Sequence, residues 1–162
     1  MAEKDMFLQG WEREFQITMK VLKAFPPDKL EFKPHERSRT ARDLAWVFVG
    51  DEAVVDMVAK GKIDFSGDMP KPPATWSEIL VAYEKTHKGM VPKIKNMPEA
   101  DYNSIIQFPI GPNQMSEFRK ADVLWLLMMD AVHHRGQFSI YLRMAGGKVP
   151  SIYGPSADEP WM

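Results

Sequence analysis

The chain has no cysteine, and that absence removes disulfides, thiolate nucleophiles and thiolate metal sites together. Any metal it holds must sit on His, Asp, Glu or water. It also lacks a surplus of either charge, with 21 Lys+Arg against 22 Asp+Glu and a formal net charge of −1. Nucleic acids and anionic membranes are recognised by basic patches that neutralise phosphate, so neither partner is expected. No stretch approaches the roughly 18 apolar residues of a membrane span. The first ten residues carry Glu3, Lys4 and Asp5 and lack the apolar run of a secretory signal. A cytoplasmic protein is the expectation. Also missing are a Gly-rich phosphate loop after a strand, a GxSxG elbow and any internal repeat.

What is present suits one compact domain spanning residues 1–162, at 44% hydrophobic and 27% charged residues. Four segments show helical periodicity. The first runs from about Asp5 to Ala24, with Leu8, Trp11, Phe15, Leu22 and Phe25 on one face, and Pro26–Pro27 end it. The second opens at Thr40 with Asp43 three residues on, a relative of the capping box. Its stripe is Leu44, Val47, Asp51, Val54 and Val58, and it stops at Lys60–Gly61. A loop over Lys62 to Ala74 leads to the capping box Thr75–Glu78 and a third helix. That stripe is Leu80, Tyr83, His87, Met90 and Ile94, with Pro92 expected to kink or shorten the end. Met97 to Gln114 is rich in Pro, Gly and Asn, so any strand within Ser104–Ile110 would be short. The fourth and longest helix is expected from about Glu117 to Met144, closed by Gly146–Gly147 and Pro150. Four amphipathic helices can bury their stripes only against one another, which predicts an all-α four-helix bundle.

The fourth helix carries the feature most like a site. Val123, Leu127, Asp130, His134, Gln137, Tyr141 and Met144 fall on one face. Its ends are apolar, but its middle is an acid, an imidazole and an amide. Polar groups in a core cost about 1–3 kcal/mol each unless they are hydrogen-bonded, paired or metal-bound. Two readings stay open: an internal polar network that fixes packing, or a built site. Asp51, with Glu52 beside it, lies on the inward stripe of the second helix and could complete such a site. His87 reads as a hydrogen-bonded core histidine, His133 as a rim residue and His35 as a solvated loop residue.

The run His134–Arg135–Gly136–Gln137, then Tyr141–Leu142–Arg143, Gly147, Val149–Pro150 and Ile152–Tyr153–Gly154, resembles the end of the DinB-like superfamily. Arg39–Thr40–Ala41 and Leu44–Ala45–Trp46 resemble the start of that family's second helix. The resemblance implies a bundle with up-down-down-up connectivity, often a homodimer. It also implies one divalent metal, typically zinc or nickel, on three histidines: one from the second helix and an i, i+4 pair from the fourth. Characterised members include transferases that use low-molecular-weight thiols, and maleylpyruvate isomerases.

Carried across by position, the three ligands fall on Val47, Asp130 and His134. Valine cannot bind metal, aspartate can, and the last histidine is kept. The expectation is therefore a DinB-like protein whose metal site is modified or lost, with no assignable reaction. One alternative is a metal-dependent thiol transferase or isomerase using Asp130, His134 and Asp51, with Val47, Gln137 and Tyr141 lining its pocket. Another is a non-catalytic bundle that binds a small ligand or a partner.

Overall fold

The computed structural model describes residues 2–67 and 70–161. The elements are α1 (Glu3–Lys23), α2 (Ala41–Lys60), α3 (Trp76–Asn96), the single turn α4 (Glu99–Tyr102), β1 (Ile105–Gly111), β2 (Gln114–Arg119) and α5 (Lys120–Met144). Local chemistry fixes most of these ends. The Thr40 hydroxyl accepts from Asp43 N–H at the start of α2. Gly61 closes that helix at φ 74°, a left-handed conformation that costs a residue with a Cβ about 1–2 kcal/mol. Thr75 and Glu78 form a reciprocal capping box at the start of α3.

α3 continues four residues past Pro92 to Asn96, where the sequence predicts a kink or an early end. Pro92 removes one N–H, but it sits on the exposed side, and so does Lys88. The Lys88 carbonyl that loses its partner can therefore turn to water.

The all-α expectation needs a correction. β1 and β2 form a two-stranded antiparallel sheet, with Ile105 opposite Arg119 and Phe108 opposite Ser116. The turn is carried by Asn113 at φ 56°, a conformation that asparagine tolerates. Residues 117–119, assigned to the fourth helix by periodicity, belong to β2, and α5 starts at Lys120. The hairpin is anchored at its base. Lys120 N–H donates to the Ser104 carbonyl, and the buried Lys120 ammonium pairs with Asp101 at 2.7 Å.

α1 packs against α3 and α5, and α2 packs against the same two helices. The interior holds two apolar clusters. One gathers Phe15, Phe25, Phe48, Trp76, Tyr83 and Phe138; the other gathers Phe7, Trp11, Val55, Ile94, Leu124 and Tyr102. Each fully buried large side chain contributes about 1.5–3 kcal/mol by leaving water. Between the clusters every long helix places polar residues: Glu14 on α1, Asp51 and Glu52 on α2, His87 on α3, and Asp130, His134 and Arg135 on α5. Glu14, Glu52, His87 and Arg135 are all buried. A polar layer thus crosses the middle of the helical body. The candidate site lies at the edge of that layer, between α2 and α5.

Candidate metal centre

The polar layer divides into three groups. In the first, Arg135 reaches across to α1 and meets Glu14 Oε2 at 2.7 Å. The same guanidinium donates to the Glu14 carbonyl and to the Thr18 hydroxyl, both at 3.2 Å. Tyr153 from the C-terminal segment caps the pair, donating to Glu14 Oε2 at 2.5 Å while its ring lies 5.0 Å from the guanidinium carbon. Both charges are compensated, as burial requires.

In the second, His87 stacks face to face on Phe15 with ring centroids 3.9 Å apart. Its Nδ1 lies 2.8 Å from Glu52 and its Nε2 lies 3.0 Å from Glu12. Burial pushes the Glu52 carboxyl up, and its hydrogen bond with His87 pulls the other way. His87 is thus a hydrogen-bonded core histidine that engages one oxygen of Glu52, whose Oε2 is buried without a partner.

The third is the candidate centre. Asp51, Asp130 and His134 each bring one possible ligand atom within 4.8 Å of the others. The two α5 residues are one turn apart, and Asp51 faces them from α2. His134 Nδ1 lies 3.0 Å from the Asp130 carbonyl oxygen and 3.2 Å from Asp130 Oδ2. A carbonyl oxygen only accepts, so Nδ1 is the donor in that hydrogen bond, and Nε2 is the ring nitrogen that a ligand would use.

Asp51 is unlike an ordinary surface acid. Its Oδ2 is closed off from solvent and has no hydrogen-bond partner, a loss that costs about 1–3 kcal/mol in a neutral setting. Burial, then the charges of Asp130 and Glu52, push its carboxyl up to about 8, while the Arg39 guanidinium pulls it down. Two facing carboxylates, one with an orphaned oxygen, and an imidazole thus converge from two helices. The donor set of two oxygens and one nitrogen fits a borderline-to-hard divalent ion.

One cleft borders this centre at His134, and a second shares Arg39 with it. The first, about 510 Å³, is lined by Ser38, Arg39, Leu44, His134, Gln137 and Tyr141, among others. Val47 does not line it; it borders a second, more apolar cleft of about 450 Å³ with Arg39, Trp46, Val49 and Ala53. Gln137 is exposed, its amide 2.8 Å from Nε2 of the exposed His133, so it stands at the rim rather than in the core. Met144, on the same sequence stripe, is also exposed. Tyr141 is buried and donates its hydroxyl to the Arg39 carbonyl at 3.1 Å.

Residues 76–161 match the DinB family, a segment that begins at α3 and contains Asp130, His134 and Arg135. The chain belongs to the DinB family. The structure resembles the crystal structure of a DinB-like protein from Bacillus cereus with a TM-score of 0.77, at 25% identity over 91% of this chain and 95% of that one. A DinB-like protein from Bacillus subtilis superposes with a TM-score of 0.69 at 15% identity, covering 88% and 94% of the two chains, a likeness of fold. The uncharacterized protein YrdA of Bacillus subtilis is 27% identical over 158 residues, 96% of this chain and 90% of its own length.

Two charged residues are not legible as site residues in the sequence. Arg135 stands out only as part of a family motif, because an arginine next to a histidine on a long helix reads as surface. Its partner Glu14 is 121 positions away, beyond the reach of any local pattern. Arg39 likewise stands out only as a motif residue, and only the packing of α2 on α5 brings it beside the centre.

Proposed function

We propose that this DinB-family protein holds one divalent cation on Asp51, Asp130 and His134, in a site modified from the three-histidine pattern that the family resemblance implies. The observation that carries the reading is the convergence of three ligand atoms around the orphaned Asp51 Oδ2. Val47 cannot ligate, and Asp51 stands one helical turn further along α2, so the α2 ligand has moved by one turn and changed from nitrogen to oxygen. A bound ion would supply Lewis-acid polarisation of a thiol or water. The chain's own part is to hold the ligands still. Asp130 fixes the His134 tautomer through its carbonyl, and α2 carries Asp51 in a partly buried position that favours its pairing with a cation.

The same reading takes the four long helices as an up-down-down-up bundle. It is supported by the order of contacts along them. Trp76 donates to the Leu22 carbonyl and His87 meets Glu12, so α3 runs against α1. Tyr83 packs beside Phe48 and His87 meets Glu52, so α3 runs with α2. Phe7 meets Trp125 and Glu14 meets Arg135, so α5 runs with α1.

The test is elemental analysis and calorimetric titration with zinc, nickel and manganese on the wild type and on Asp51→Ala, Asp130→Ala and His134→Ala. About one ion per chain is expected, with affinity falling at least tenfold in each variant. Stoichiometric metal that survives all three substitutions would overturn the assignment, and so would no binding of any of the three ions.

A further inference from the structure

Arg39 has no assigned role, yet it lines both the cleft at His134 and the apolar cleft along α2. Arg13, Arg42, Arg119, Arg135 and Arg143 each meet a carboxylate at 3.1 Å or less. Among the described residues Arg37 and Arg39 have no such partner, and of the two it is Arg39 that lines the clefts. Its backbone is nonetheless held: it immediately precedes the α2 N-cap Thr40, and its carbonyl accepts from the buried Tyr141. A guanidinium with no carboxylate partner among the described residues, on a fixed backbone and shared by two clefts, is placed to bind an external ligand.

We propose that the ligand of this site is a small organic carboxylate with an apolar body. Its carboxylate would bind the Arg39 guanidinium, and its apolar part would lie in the cleft bounded by Trp46, Val47 and Ala53. The inference rests on the divalent-metal reading for the net charge of the centre, whereas the pairing of a carboxylate with Arg39 is a property of the guanidinium itself.

Charge decides the sign of the headgroup. Two ionised carboxylates neutralise a divalent cation, and Arg39 then leaves the centre with one net positive charge. Among the described residues Asp43 is the other charged one bordering the apolar cleft, so an anion is directed to the Arg39 end. The choice of carboxylate over phosphate follows from the donors available. One planar guanidinium matches a carboxylate in two parallel hydrogen bonds, whereas phosphates are usually cradled by several cations or by free backbone N–H groups. The first N–H groups of α2 are already taken: Ala41 donates to Phe32, Arg42 to Leu30, and Asp43 to Thr40 Oγ1. The apolar body follows from Val47. Where a metal-binding side chain would make this wall polar, valine makes it greasy, and a cleft of about 450 Å³ is within the usual range for a small organic ligand.

The experiment is calorimetric titration of purified protein, metal-free and zinc-loaded, with butyrate, hexanoate and octanoate, with hexanol and hexylamine as neutral and cationic controls, and with inorganic phosphate. Hexanoate is expected to bind at least tenfold more tightly than hexanol, hexylamine or phosphate. Each added methylene should improve affinity about fourfold until the cleft is filled. Arg39→Ala should weaken hexanoate at least tenfold with zinc stoichiometry and melting temperature retained, and Arg39→Lys should recover part of the loss. Val47→Ser should flatten the dependence on chain length. Equal affinity for hexanoate and hexanol, stronger binding of phosphate, or unchanged hexanoate affinity in Arg39→Ala would each overturn the proposal. If the protein takes up no zinc, the metal reading falls on its own, and carboxylate binding is then judged by Arg39→Ala in the metal-free protein.

Discussion

At the scale of single residues, Asp51 concentrates the physics of the site. Its carboxyl is raised to about 8, whereas an unfolded aspartate titrates near 3.9. Between those values the metal-free folded chain binds a proton that the unfolded chain has released, so the slope of stability with pH is negative there. The contribution is fully present below about pH 4 and is lost as pH rises through 8. We expect denaturant unfolding in the presence of a chelator to show stability falling from pH 5 to pH 8, by up to about 1.4 kcal/mol per unit from this group. Asp51→Asn should flatten that slope, and an unchanged slope would mean that Asp51 is not the group responsible. A second residue-scale prediction concerns Arg135, whose removal leaves the buried Glu14 with the exposed Arg13 as its one ion-pair partner among the described residues. Arg135→Ala is expected to cost about 3–5 kcal/mol in chemical denaturation. The double change Arg135→Met with Glu14→Leu should cost much less, because it leaves no unpaired charge. Similar losses in both proteins would count against charge compensation as the role of the pair.

At the scale of elements, the helix ends are legible in the sequence because capping is local chemistry. Thr40, Gly61, Thr75 and Glu78 each act on groups within four positions. The β1–β2 hairpin is not legible in the same way. Ile105 and Ile106 stand side by side, Pro109 interrupts β1, and β2 is mostly polar, so no period of two is visible. Its pairing is a contact between strands, and its anchor, Lys120 to Asp101, is a contact between elements. The junction after α5 offers a test of close packing. A Cβ on Gly147 would lie 3.0 Å from the Ala24 carbonyl oxygen and press on Leu142, and that carbonyl belongs to backbone. Gly147→Ala is expected to destabilise the protein by about 1–3 kcal/mol, read as a lower denaturation midpoint. Wild-type stability in that variant would contradict so close an approach of the two backbones.

At the scale of the whole molecule, the centre joins α2 to α5, so a bound ion clamps helices that are far apart in the chain. Zinc at a hundredfold excess over its dissociation constant should add about 2.7 kcal/mol. For a chain of this length that is roughly 5–10 °C in melting temperature. The shift should vanish with chelator and be absent in Asp130→Ala. An equal shift in that variant would place the ion elsewhere. None of the described helices is long and apolar enough to cross a membrane.

The sequence by itself determined the presence of the four long helices, the caps of α2 and the capping box of α3, and the Asp130–His134 pair, because each depends on residues within a turn or two of one another. It also put Asp51 on an inward stripe, since helical spacing carries that far. Only the tertiary structure decided that Glu52 turns to His87 while Asp51 faces Asp130, as adjacent residues on a helix point about 100° apart and the neighbours choose between them. Only it showed that Gln137 stays at the rim, that Arg135 is buried against Glu14, and that Arg39 comes beside the centre. Each of those outcomes rests on groups many turns apart in sequence, which meet only when separate helices pack.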